Sequence, residues 1–217
     1  MSADQFPPCP CHLPPQTKRG VERRLAFLES ASQLFIEKGY DDVSLDDVVQ
    51  HAGGSKATIY KYFGSKKGLF KAICDYRRDL FLQDLFQETS QFEYLELRTF
   101  LLQTLDNFYQ HITQIDNRKF IRLLFEQVKY DPDLSEYIYQ ACPVKILAHV
   151  SQKLRYAHDN GLIFCENPDD AAKIYLGILW HIEWKIFMGV TLTENPSDIQ
   201  NYILYSVDLF LKSLRNP

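Results

Sequence analysis

Between Asp47 and Lys67 the chain reads DVVQHAGGSKATIYKYFGSKK, and no other stretch constrains the fold as tightly. The adjacent Gly53 and Gly54 accept backbone angles at which residues with side chains clash, so two short helices can meet there at a tight turn. The first is predicted over 45–51, with Ser44 as an N-cap that accepts a hydrogen bond from a free first-turn amide. The second starts at Ser55 and ends near Tyr62. Leu45, Val48, Val49, Ala52, Ile59 and Phe63 then fall on inner faces. Lys56, Ala57, Thr58, Tyr60, Lys61 and Tyr62 are left for an outer one.

That outer face has the chemistry of a helix in a DNA major groove. Long cations suit guanine or phosphate, a small residue and a Thr methyl suit thymine, and phenol hydroxyls suit phosphate. Two bland readings stand beside it. Helix-turn-helix shapes occur in proteins that never touch DNA, and a Lys or Tyr on a helix is often simply solvated.

Residues 21–70, centred on AGGSKATIYKYFGSKKGLF, resemble the DNA-binding domain of the tetracycline-repressor (TetR) family of bacterial transcription regulators. The resemblance includes FIEKGY at 35–40, the Ser44 cap, the Tyr60-x-Tyr62-Phe63 run and Ser65-Lys66. It implies that Ser44, Thr58, Tyr60, Tyr62 and Lys66 hold the phosphate backbone, that Lys56, Ala57 and Lys61 face base edges, and that Ser55 belongs to the same set. Gly54 departs from the family, which most often has Val there. The missing side chain is expected to remove a contact of about 1 kcal/mol and loosen the turn, with Val49 partly refilling the space.

The net charge of −4 suits a DNA-binding chain only once it is divided. From Thr17 to Arg78 there are 12 Lys or Arg against 8 Asp or Glu, a net of +4, and the remaining 12 basic and 20 acidic residues give −8. Positive charge is concentrated where phosphate is expected. Five scattered cysteines do not read as a disulfide framework and point to a reducing compartment. No secretory signal is visible, and the most apolar stretch, 174–190, is interrupted by His181, Glu183 and Lys185, so no membrane span is expected. The expected location is the cytoplasm of a bacterium, at the nucleoid when bound to DNA.

Along the chain, residues 1–16 carry five prolines and read as a disordered tail. Cys9, Cys11 and His12 are too compact to close a structural zinc site, so no metal and no cofactor is expected. A helix over 18–38 stops at Gly39. Its basic start, Lys18, Arg19, Arg23 and Arg24, either lies beside DNA or is an ordinary solvated helix end. A helix over 65–87 carries two apolar stripes, Leu69, Ile73, Tyr76, Leu80 and Phe70, Cys74, Arg77, Phe81. It would span roughly 30 Å or more. Further helices are predicted over 93–114 and 117–129, after Asp131-Pro132, from a break at Pro143 to Asn160, over 168–189 and over 197–215. The fold class is therefore all-α. A three-helix helix-turn-helix domain at 17–64 precedes a helical domain at 65–217, and the long helix from 65 joins the two.

In the second part, Ile199, Ile203, Val207, Phe210 and Leu214 form one stripe. The preceding helix supplies Ile174, Ile178, Ile182 and Ile186 with Trp180 and Trp184 beside them. Pattern alone reads these as core. Residues 118–190 also resemble the C-terminal domain of the AefR-like TetR subgroup. TetR members dimerise through their last two helices, which implies a homodimer on a palindromic double-stranded DNA operator with Ile178, Ile182, Ile203, Val207 and Phe210 in the interface. Phe108, His111, Phe125, Tyr139, Tyr175, Trp180, His181 and Trp184 are candidates to line a pocket for a small hydrophobic or aromatic effector, or else a plain core with satisfied hydroxyls.

Catalytic motifs are missing: there is no GxSxG, no phosphate-binding glycine loop, no HExxH and no CxxC. With no catalytic centre in view, the TetR resemblance implies a ligand-responsive DNA-binding regulator, most simply a repressor. The alternative is a helical adaptor that binds protein through a structural helix-turn-helix.

Overall fold

The computed structural model describes residues 17–86 and 94–214, with side chains from Glu96 in the second stretch. Among these residues there are eleven α-helices, one short 3-10 segment and no strand. The expected tail at 1–16, with its Cys9, Cys11 and His12, and the ends of the helices predicted to reach 87, begin at 93 and reach 215, lie outside the described residues. The chain divides into two compact units between Arg77 and Arg78.

The first unit opens with α1 (Lys18–Lys38), capped by Thr17, whose side chain accepts from the Gly20 amide at 3.1 Å. Gly39 ends it, and α2 (Leu45–Ala52) and α3 (Lys56–Phe63) come next. Phe27, Leu28, Ala31 and Phe35 of α1 form a buried stripe at helical spacing. Val48, Ile59, Phe63, Leu69 and Ile73 of the later helices are buried equally deeply. Phe35, Tyr40 and Phe70 meet edge-on or tilted, with ring centroids 5.2–5.8 Å apart. Arg23 donates from a guanidinium nitrogen to the Ala52 carbonyl oxygen at 3.0 Å, tying the end of α2 to α1.

The α2–α3 turn corrects one expectation. Gly54 has φ +99°, and a Cβ there would lie 2.9 Å from Cζ of Phe27. Phe27 is itself fully buried. No space waits for a valine, so glycine is the residue this turn requires rather than a lost contact.

The division between the units falls within α4 (Lys66–Leu85). Leu69, Phe70, Ile73 and Cys74 are buried at one end and Phe81 and Leu85 at the other, whereas Leu80, placed on an inner stripe by its spacing, is exposed.

The second unit contains α5 (Tyr94–Thr113), α6 (Ile115–Val128), α7 (Pro132–Ala141), α8 (Pro143–Asp159), α9 (Pro168–Leu176), α10 (Trp180–Met188) and α11 (Pro196–Ser213). Four of these begin at proline, which loses nothing where the amide has no helical partner. Asp131 and Asn167 cap α7 and α9 by accepting from the Leu134 and Asp170 amides. The core gathers Leu97, Leu101 and Leu105 of α5, Val150 and Leu154 of α8, Tyr175 of α9, Ile182 of α10 and Val207 of α11. Arg98 forms a two-pronged ion pair with Asp208 at 2.7 and 3.0 Å, fixing α5 to α11.

The helix expected over 168–189 is not continuous. Gly177–Leu179 is a 3-10 turn between α9 and α10. Glycine is a weak helix former, and three residues at the tighter 3-10 pitch rotate the faces of α10 by roughly 60° relative to an unbroken α-helix. Beyond the turn, Ile182 and Ile186 point inward and Trp180 and Trp184 outward.

Candidate nucleic-acid interface

Helix α3 is held on one side and open on the other. Ile59 and Phe63 are essentially inaccessible, and Arg24 lies over the Phe63 ring at 5.3 Å. Ser55 caps the helix by accepting from the Thr58 amide at 3.2 Å, and the Ser55 and Thr58 hydroxyls are 2.9 Å apart. The exposed residues include Lys56, Ala57, Tyr60 and Lys61, while Thr58 and Tyr62 are half-buried. Eight residues locked by two core anchors thus present cations, a phenol and a small side chain to solvent.

Ser44 and Asp47 close a capping box: the Ser44 hydroxyl accepts from the Asp47 amide at 3.1 Å, and Asp47 accepts from the Ser44 amide at 2.7 Å. Hydrogen bonds from the Ser44 hydroxyl and amide hold the Asp47 carboxyl below its usual pKa. Lys66 is engaged locally as well. Its Nζ donates to the Asp41 carbonyl at 3.3 Å and lies 4.3 Å from the Tyr40 ring, and burial lowers its pKa. Of the basic residues opening α1, Arg23 and Arg24 have these structural partners. One residue of this surface was missed by sequence reasoning: Asp46 accepts from Lys56 Nζ at 2.6 Å. Its only sequence signal is an acid in the first turn of one helix and a cation in the first turn of the next.

The eight residues expected to line a pocket do not converge on one place. Phe108 and His111 of α5 meet Phe81 of α4, with centroids 5.8 and 4.1 Å apart, beside Leu85 and Ile146. Tyr175 is fully buried in the main core, where its hydroxyl donates to the Leu101 carbonyl. Phe125 is at the surface, 4.6 Å from Phe187, and Trp180 and Trp184 stack on each other at 5.5 Å, 57% and 52% exposed. Tyr139 is exposed on α7, and His181 is exposed with its ring edge-on to Tyr202. Helical spacing put these residues near one another in sequence but on different faces.

Most of the expected interface stripe is buried within the chain itself. Ile182, Ile203, Val207 and Phe210 are 0–7% exposed within this chain's own core, and the carbonyl of half-buried Ile178 accepts from Tyr202. The exposed large apolar side chains of the last two helices are Trp180, Trp184, Met188, Tyr202, Leu204, Tyr205 and Leu209. Among the described residues no helix is long and apolar enough to cross a membrane, and no three His, Cys, Asp or Glu cluster as metal ligands would.

A short capped helix with an open basic and phenolic face, set by a two-glycine turn against a three-helix core, defines a helix-turn-helix regulator. Comparison with known proteins gives the family. Residues 27–73 match the bacterial regulatory proteins of the tetR family, and residues 99–214 match the C-terminal domain of AefR-like transcriptional repressors. The chain belongs to the TetR family. It is a transcriptional regulator rather than an enzyme, in a family whose members are typically DNA-binding repressors.

Over 192 residues the chain is 29% identical to IcaR of Staphylococcus aureus, the HTH-type negative transcriptional regulator of the biofilm operon icaADBC, covering 86% of this chain and 97% of IcaR. A 63-residue stretch is 38% identical to the HTH-type regulator YvdT of Bacillus subtilis, covering 29% of this chain and 31% of YvdT. Among solved structures, a Mesorhizobium loti protein assigned to the TetR family superposes with TM-score 0.78 at 21% identity, covering 92% of this chain and all of that one. The flavonoid-responsive regulator FrrA superposes with TM-score 0.72 at 26% identity, covering 89% and 97%.

Proposed function

We propose that the chain represses transcription by binding a palindromic operator as a homodimer, and that a small hydrophobic or aromatic effector releases it. The observation that carries the DNA contact is the open face of α3, where Lys56, Ala57, Tyr60 and Lys61 stand on a helix anchored by Ile59 and Phe63. A second copy is assigned to the outward faces of α10 and α11, because Trp180, Trp184, Met188, Tyr205 and Leu209 are large apolar groups left in water. IcaR, named a negative regulator, supports repression.

The effector is assigned to the surroundings of Phe81, Phe108 and His111, where aromatic rings and an imidazole from α4 and α5 meet. The flavonoid-responsive FrrA supports an aromatic ligand. Helix α4 contributes Leu69 and Ile73 to one core and Phe81 and Leu85 to the other. A ligand that favours one placement of Phe81 would therefore bias a helix that also builds the DNA-binding unit. By linkage, the ligand weakens DNA binding by the same factor that DNA weakens ligand binding.

The test is binding of the purified chain to genomic fragments upstream of its own and neighbouring genes, across a salt series, with a Tyr60→Ala/Lys61→Ala variant alongside. One palindromic fragment bound tightly, with affinity falling steeply in salt and lost in the variant, is the expected result. Binding that is weak, salt-insensitive and equal in both proteins would refute it. Release of the fragment by a panel of flavonoid-like aromatics tests the effector, and sedimentation of a Trp180→Asp/Trp184→Asp variant as a monomer tests the dimer face.

A further inference from the structure

The Lys56–Asp46 pair is out of place as a stabilising device. The two side chains are 47% and 71% exposed, and an ion pair that open to water contributes little to the fold. Its geometry is nevertheless well defined. Asp46 lies between Leu45 and Val48, both buried, so the core fixes the backbone from which the carboxylate projects. Lys56 is the first residue of α3, directly after the Ser55 cap, and its Nζ reaches Asp46 Oδ2 at 2.6 Å. An ammonium and a carboxylate therefore project side by side from the first turns of the two helices that make the turn.

On a DNA-reading surface these two groups do opposite things. The ammonium donates, and in the major groove the acceptors are guanine O6 and N7, adenine N7 and thymine O4. The carboxylate only accepts, so it tolerates the amino edges of cytosine or adenine and opposes both carbonyl edges and phosphate. Neutralised by its neighbour, Lys56 is also withheld from indiscriminate phosphate contact, which is the source of non-specific affinity. We propose that Asp46 is a specificity-determining residue of the operator contact: it holds the Lys56 ammonium toward a guanine edge, faces an amino-bearing base itself, and suppresses binding to unrelated DNA. This rests on the operator reading given above.

The test compares the full chain with Asp46→Asn, Lys56→Ala and the double variant. Each is titrated with the operator fragment and with a scrambled duplex of equal length across a salt series. Asp46→Asn is expected to tighten binding to the scrambled duplex and to steepen its salt dependence by about 0.9 in log–log slope per subunit, one ammonium being released to phosphate. The preference for operator over scrambled duplex should fall at least about fivefold, the low end of the cost of one misread base pair. In the Lys56→Ala background the same change should leave the salt slope unaltered, with no ammonium to release, and should cost only the smaller part of the preference that Asp46 reads by itself. Asp46→Ser, which keeps a helix-favouring first-turn side chain, guards against a folding artefact and should behave as Asp46→Asn does. Unchanged slope and preference in Asp46→Asn, with the unaltered chain still selecting its operator, would overturn the proposal alone. An equal gain without Lys56 would overturn it too, by showing that the carboxylate acts only through its charge. Failure of the unaltered chain to select any operator would overturn both readings together.

Discussion

Replacing Gly54 by valine, the residue most common there in the family, is expected to unfold the first unit more easily rather than to repair a contact. Two costs combine. At φ +99° a branched side chain sits in a backbone region that costs about 1–3 kcal/mol. Its Cβ would also stand 2.9 Å from Cζ of Phe27, a ring with no exposed surface into which it could retreat. Crowding of that kind adds about 1–3 kcal/mol. Together the loss is about 2–6 kcal/mol, which lowers the midpoint of a small unit by about 10 °C or more. Both tryptophans, Trp180 and Trp184, belong to the second unit. Thermal unfolding followed by far-ultraviolet circular dichroism should therefore show an early helical transition that tryptophan fluorescence does not. Gly54→Ala should fall between the two, since it shares the Cβ contact but not the branching. A valine variant at least as stable as the unaltered chain would refute the reasoning and restore the view that glycine here is a missing contact.

Two further perturbations test the second unit. Burial pushes the Glu183 carboxyl up from 4.5 to about 7, so its contribution to stability is whole below pH 4.5 and is lost as pH rises through about 7. Glu183→Gln should accordingly be more stable than the parent at pH 8 and no more stable at pH 4.5, as read from urea midpoints; an equal offset at both pH values would contradict this. Arg98→Ala is expected to cost about 1 kcal/mol, because its ion pair with Asp208 is two-pronged but a third or more exposed. A double-mutant cycle with Asp208→Ala should return most of that loss as coupling energy, and additive losses would show that the pair does not act as a unit.

Local chemistry made the first unit and most helix boundaries legible. Thr17, Ser44, Ser55, Asp131 and Asn167 each hold the first turn of their helix through a bond to a residue three positions on, which is information carried by four consecutive residues. The α3 surface was legible for the same reason: once Ile59 and Phe63 are taken as anchors, helical geometry assigns the rest. Asp46 was not, because its partner lies ten residues on and across a turn, where only the placement of the two helices brings the charges together. Gly54 was misread because its neighbour Phe27 comes from another helix.

The C-terminal helices show where a periodic pattern stops being decisive. Helix α11 carries two apolar stripes, one of Ile199, Ile203, Val207 and Phe210 and another that includes Tyr202, Tyr205 and Leu209. Helix α10 likewise offers Ile182 and Ile186 on one side and Trp180 and Trp184 on the other. Either stripe could satisfy a 3.6-residue period, and the choice depends on what packs against it. Branched aliphatic groups share one core with the leucines of α5, and the 3-10 turn at Gly177–Leu179 sets α10 in the phase that permits it. Burying that stripe leaves the aromatic one outward. Broad rings with one polar edge bury much area while keeping a hydrogen bond in reach, which suits the surface proposed above for a second copy. The pattern therefore contains both the stripe buried in this chain's core and the surface proposed for a second copy, divided by which side chains pack tightest.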